Sequence, residues 1–295
     1  MKECVFSGCG TALVTPFTKD NKVDYNALGR LIDFQLKGGV DALVIFGTTG
    51  EASTLTDEEK LAVLKFTLDK VEGSVPVIAG AGSNNTRRGI ELSKLLESGG
   101  ADALLHVTPY YNKTNEEGLY RHFCAVAESV SIPVILYNVP SRTGMNLCPS
   151  LCGRLSQLPN IAGIKEASGD VRAVGEIHRY AGETFPVYAG NDDVILPTLA
   201  CGGAGVISVL SNILPTVVSC MCRAYSNGEI DITRLLQQKY SRLISLLFCE
   251  TNPIPVKYAL SLMGYCLEDT RLPLWHMSDV NKESLQAELE KLCII

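Results

Sequence analysis

Residues 132–140 read IPVILYNVP, and residues 161–168 read IAGIKEAS. Both are near-continuous apolar runs without polar alternation, the pattern of a parallel strand buried on both faces. The same pattern recurs in GTALVTPF from Gly10, DALVIFG from Asp41, VPVIAGAG from Val75, ALLHVTP from Ala103, FPVYAGN from Phe185 and AGVISVL from Ala204. In chain order the eight runs start 31, 34, 28, 29, 29, 24 and 19 residues apart. A strand–helix unit of about 30 residues repeated eight times predicts an α/β fold of the (β/α)8 TIM-barrel class. A doubly wound open sheet is the alternative. It would carry a glycine fingerprint after its first strand, where this chain has Thr18-Lys19-Asp20-Asn21.

The intervening segments have helical period and helical ends. Thr56 stands as an N-cap before Asp57-Glu58-Glu59-Lys60, and Thr114 or Asn115 before Glu116-Glu117. Gly38-Gly39 and Gly99-Gly100 are placed to stop helices. From about Asn212 the rhythm ends. Residues 212–228 read as the eighth barrel helix, closed by Asn227-Gly228. The expected division is a barrel with the active site over 1–228 and a C-terminal helical domain over 229–295.

Charge and composition narrow the function. With 26 Lys and Arg against 32 Asp and Glu, the net charge is −6, which argues against nucleic acid and anionic membrane partners. No apolar stretch reaches 18 residues, and the N-terminus has no signal-peptide core. The 11 cysteines are odd in number and include no Cys-x-x-Cys pair. A reducing cytoplasm fits, with most cysteines filling core space.

Barrel chemistry sits at the C-terminal ends of strands. Those ends carry Thr48, Thr49 and Glu51 in GTTGE, Tyr110 and Tyr111 in VTPYYN, Tyr137, Asn138, Ser141 and Arg142 in YNVPSRTG, and Lys165 in IAGIKEAS. Lys165 is the sharpest signal. A lysine inside an apolar strand must snorkel, find a carboxylate or lose its charge, and the uncharged amine is a Schiff-base nucleophile. Glu166 points to the other face of the strand and is not its natural partner. Tyr137, one strand away, could shuttle protons, and the Arg142 fork suits a carboxylate. The Asn191-Asp192-Asp193 carboxylates argue against a phosphate after strand seven. The four histidines are scattered, so no metal site and no other cofactor is expected, and His106 reads as a satisfied core histidine.

The motifs GTTGE (47–51), VTPYYN (107–112), YNVPSRTG (137–144), GIKEASG (163–169), GVISV (205–209) and NPIPVK (252–257) span essentially the whole chain. Together they resemble the dihydrodipicolinate synthase family, among the pyruvate-dependent class I aldolases that include N-acetylneuraminate lyase. The resemblance implies that Lys165 forms a Schiff base with pyruvate, whose enamine attacks L-aspartate 4-semialdehyde. Cyclisation then frees the lysine and the heterocyclic product, a step of lysine and diaminopimelate biosynthesis. It also implies that Thr48, Tyr137 and Tyr111 form a proton relay, with Tyr111 inserted from a neighbouring subunit. Thr49 would contact the pyruvate carboxylate and Arg142 the semialdehyde carboxylate, while Gly190 and Ile207 would line the pocket through their backbones. A homotetramer built as a dimer of dimers is implied as well. Neuraminate lyases resemble this loop but carry an apolar residue where Arg142 stands. A buried arginine fork suits a carboxylate better than a neutral sugar. A non-catalytic keto-acid-binding regulator would be expected to lack the lysine or the tyrosine. Lys60 and Arg88 stand where lysine-inhibited members carry a histidine and an acidic residue, so weak or absent inhibition by lysine is expected.

Overall fold

Eight parallel strands close on themselves in sequence order. They are β1 (Gly8–Ala12), β2 (Ala42–Ile45), β3 (Val77–Gly80), β4 (Ala103–Val107), β5 (Val134–Asn138), β6 (Ile161–Glu166), β7 (Val187–Ala189) and β8 (Gly205–Ser208). The structure, a computed structural model, describes residues 4–295. Closure is made by β1 on β8, with Gly8 opposite Gly205 and Gly10 opposite Ile207. Alternate residues face the barrel interior, where Ile78, Leu105, Ile135, Tyr137, Tyr188 and Ile207 pack together. Their neighbours Val77, Leu104, Leu136, Ile164 and Val187 face outward and join the core formed with the helices. At the N-terminal end the ring of Phe6 stacks on Tyr188 at 4.3 Å, and the Tyr188 hydroxyl donates to the Phe6 carbonyl at 2.7 Å.

One irregularity sets the register of the site. Val134 pairs with Ile161 but Ile135 pairs with Gly163, so Ala162 is an extra residue in β6. Beyond this bulge, Tyr137 stands opposite Lys165, and Lys165 in turn opposite Tyr188. Without it Tyr137 would face Ile164. Bulges re-aim side chains in this way beside functional sites.

The barrel helices are α1 (Tyr25–Lys37), α2 (Asp57–Val71), α3 (Thr86–Ser98), α4 (Glu116–Ala127), the short α5 (Pro140–Thr143), α6 (Pro149–Leu155), α7 (Arg172–Ala181), α8 (Ile195–Ala200) and α9 (Pro215–Ser226). Thr56 and Glu59 form a reciprocal capping box on α2. Asn115 rather than Thr114 caps α4, accepting from the Gly118 amide at 2.8 Å. Gly38 and Gly99 end α1 and α3 as expected. After Gly228 come α10 (Ile230–Leu247), α11 (Ile254–Leu262) and α12 (Asp279–Lys291). Leu243, Leu247, Val256, Leu260, Leu285 and Leu289 from these helices are buried in the same core as the barrel helices. The C-terminal helices are thus packed onto the barrel.

All 11 cysteines are free; Cys9, Cys152, Cys222 and Cys266 are buried in the core, and Cys124 and Cys148, partly buried, pack against it. One reading changes. His106 is fully buried and meets the Ser93 hydroxyl through Nε2 at 2.9 Å, yet its Nδ1 has no hydrogen-bond partner among the described residues. Burial pushes its pKa down to about 3.

Candidate active site

Beyond the C-terminal end of β2 the chain makes a tight turn over residues 46–51. Phe46 (φ 56°) and Glu51 (φ 53°) both lie in the left-handed region, which bulky residues adopt only when their surroundings hold them there. Gly80 at the end of β3 makes room for the turn: a Cβ there would stand 1.9 Å from the Phe46 carbonyl oxygen. Two contacts from the C-terminal region, one from α11 and one from the loop that follows it, hold the other side. Lys257 of α11 places Nζ 2.6 Å from Glu51 Oε1 and 2.6 Å from the Asp269 carbonyl, with both side chains essentially fully buried. The Arg271 amide donates to the other Glu51 oxygen at 2.9 Å. Burial pushes the Lys257 pKa down, and the Glu51 charge opposes that shift.

The turn opens onto a cavity of about 570 Å³, lined among others by Thr48, Tyr110, Tyr137, Arg142, Thr251 and Asn252. Tyr137 is part of its wall. Lys165 Nζ lies 4.5 Å from the centre of the Tyr137 ring, and the residue is 6% exposed. The neighbouring Glu166 faces away, accepting from Asn138 Nδ2 at 2.9 Å and from the Ser168 amide at 2.6 Å. Burial pushes its pKa up. The Lys165 amine is therefore left to the barrel axis.

Asp192, next to the end of β7, is fully buried, and burial pushes its pKa up; the hydrogen bonds it accepts and, least of all, the Lys165 charge oppose that shift. It accepts from the Ser208 hydroxyl at 2.5 Å and from the amides of Val209 and Leu210 at 3.0 Å each, fixing the chain just beyond Ile207. Sequence reasoning took Asp192 only as a carboxylate that repels phosphate. Its side chain is in fact turned inward as a structural acceptor.

The other expected residues divide. Thr48, Tyr137 and Arg142 share the cavity wall. Arg142 is exposed at the open end, not a buried fork, because α5 is a single turn at the barrel rim; its Nη2 donates to the Asn252 carbonyl at 3.3 Å. Thr49 is buried, and its hydroxyl accepts from Asn252 Nδ2 at 2.9 Å. Ile207 lies in the barrel interior beside Tyr137. Gly190 lies against β6, its amide donating to the Glu166 carbonyl at 2.7 Å. Tyr111 is 92% exposed with φ 68° and does not join the cavity wall of its own chain. Asn252 was missed as a site residue, although NPIPVK was visible as a motif.

The Lys60–Arg88 expectation also changes in part. Both line the outer reach of the cavity, but Arg88 is ion-paired with Asp57, while burial pushes the Lys60 pKa down.

Comparison with known proteins agrees over the full length. The Dihydrodipicolinate synthetase family matches residues 5–292. A 4-hydroxy-tetrahydrodipicolinate synthase of Thermoanaerobacter sp. (strain X514) is 51% identical over 288 residues, 97% of either chain. Another from Acetivibrio thermocellus is 49% identical over 295 residues, covering 100% of both. Among solved structures, a chloride-inhibited dihydrodipicolinate synthase from Acinetobacter baumannii complexed with pyruvate superposes with a TM-score of 0.96. It is 42% identical, over 98% of this chain and 99% of that one.

Proposed function

The chain belongs to the dihydrodipicolinate synthetase family, and we propose how its residues carry that family's reaction. The enzyme is a lyase of lysine and diaminopimelate biosynthesis, condensing pyruvate with L-aspartate 4-semialdehyde as a 4-hydroxy-tetrahydrodipicolinate synthase does. In our reading Lys165 Nζ attacks the pyruvate carbonyl carbon. The carbinolamine loses water to give the Schiff base, and loss of a methyl proton gives the enamine. Its carbon adds to the semialdehyde carbonyl. The amino group of the semialdehyde then displaces the lysine from the imine carbon, which closes the ring and returns the free amine.

The observation that carries this reading is the register of Lys165 against Tyr137, which holds an amine with no salt bridge among the described residues beside a phenol of the cavity wall. Tyr137 and Thr48 pass protons to and from the carbinolamine oxygen, a role that needs groups within hydrogen-bond reach in a site shielded from water. Thr49 and the backbones near Gly190 and Ile207 receive pyruvate. Arg142, exposed at the rim, receives the carboxylate of the second substrate as it enters. Tyr111 reaches the relay of a neighbouring subunit in a homotetramer; its 92% exposure within its own chain is what supports this. No helix among the described residues is long and apolar enough to cross a membrane, and a cytoplasmic location fits the biosynthetic role.

The test offers purified protein pyruvate with aspartate semialdehyde and N-acetylmannosamine in parallel, with Lys165→Ala as control. Consumption of semialdehyde alone, abolished in the variant, supports the reading. Preference for the sugar, or no borohydride-trapped pyruvate on Lys165, overturns it.

A further inference from the structure

We infer that Asn252 is a positioning residue that turns the Thr49 hydroxyl into a donor toward the substrate carboxylate. The inference rests on the site reading proposed above. Asn252 lies between α10 and α11, 203 residues from Thr49 in the chain, and is 5% exposed. Its Nδ2 donates to Thr49 Oγ1 at 2.9 Å. A threonine hydroxyl has one proton to give and two lone pairs to accept with. With a lone pair occupied by the amide, the Thr49 proton is left for another acceptor. A carboxylate is such an acceptor and has no proton of its own to give. Were residue 252 to present an acceptor, Thr49 would bond to it and turn only lone pairs toward the carboxylate.

Two further features fit the assignment. The Asn252 carbonyl accepts from Arg142 Nη2 at 3.3 Å, so one residue touches both groups assigned to substrate carboxylates. Asn252 Oδ1 is buried without a partner among the described residues. An unpaired buried acceptor is costly, and a residue serving packing alone would not carry one. Lys257, five residues on, fastens the same turn through Glu51 and so fixes where the amide can reach.

The experiment measures KM and kcat for pyruvate, with thermal melting, in Asn252→Ala, Asn252→Asp and Thr49→Val, and in Thr49→Val combined with Asn252→Ala. Removing the donor raises KM for pyruvate about fivefold in Asn252→Ala with kcat within about twofold. Asn252→Asp, nearly the same in shape, captures the Thr49 proton and adds a negative charge, raising KM by more than about tenfold. In the Thr49→Val background, Asn252→Ala adds nothing further. Unchanged KM in both Asn252 single variants, or a full Asn252→Ala effect without the Thr49 hydroxyl, overturns the inference alone. Failure of borohydride to trap pyruvate on the unaltered protein overturns the site reading and this inference with it.

Discussion

Lys165 and Tyr137 are directly opposed in the β5–β6 ladder, and the lysine amine lies 4.5 Å from the centre of the tyrosine ring. Tyr137→Phe keeps the ring and its attraction for a cation but removes the hydroxyl. We expect kcat to fall by about 10²–10³-fold with little change in melting temperature. Steady-state turnover within tenfold of the unaltered enzyme would remove Tyr137 from the relay.

Tyr111 offers a test of shared sites. Lys165→Ala and Tyr111→Phe proteins are each expected to be inactive. Mixed in equal amounts under subunit exchange, they form hybrid dimers in which one of two sites has both residues intact. Activity should return to about a quarter of the original, by the statistics of a two-fold interface. No recovery in hybrids confirmed by mass spectrometry would place Tyr111 outside the neighbouring site.

The buried Lys257–Glu51 pair makes a stability prediction. Removing one partner leaves an uncompensated charge, so Lys257→Met and Glu51→Gln should each lower the unfolding free energy by about 3–5 kcal/mol. The double variant should lose clearly less than the sum, read from denaturant midpoints. Strict additivity would mean that the two side chains do not act as a pair.

Acid should weaken the fold through His106, whose pKa is lowered from 6.5 to about 3. Between these values the unfolded chain binds a proton that the folded chain refuses. The histidine's contribution is complete above pH 6.5 and is lost as pH falls toward 3, by up to about 1.4 kcal/mol per unit. His122, also lowered by burial, acts in the same direction. Melting temperatures between pH 7.5 and 4.5 should fall more steeply for the unaltered protein than for His106→Gln. Equal slopes would contradict this.

Lysine should inhibit weakly. Arg88 is neutralised by Asp57, but Lys60 has no such salt bridge among the described residues and stays on the cavity wall, where it repels a ligand bearing ammonium groups. Half-inhibition at sub-millimolar lysine in a steady-state assay would refute this.

The strands were legible because burial on both faces leaves uninterrupted apolar runs such as VILY, and Lys165 was legible because it breaks one. The bulge was not. Ala162 is an apolar residue among apolar residues, so a one-residue shift leaves the pattern unchanged while reversing which side chains face the axis. Asn252 escaped notice because its contacts with Thr49 and Arg142 cross 203 and 110 residues of chain, and no local period encodes such a meeting. Arg142 was placed at the right loop but at the wrong depth, since loop sequence says little about how far a rim residue projects.

The hold of Lys257 and Asn252 on the 47–51 turn has a consequence for synthesis. The turn is translated early, and the side chains that fasten it arrive about 200 residues later. A nascent chain can already display Lys165 and Tyr137 while Thr49 still lacks its amide and Glu51 its counter-ion. Full affinity for pyruvate thus waits until residues 252–257 have left the ribosome. A product cut short after the barrel lacks both fastenings of that turn.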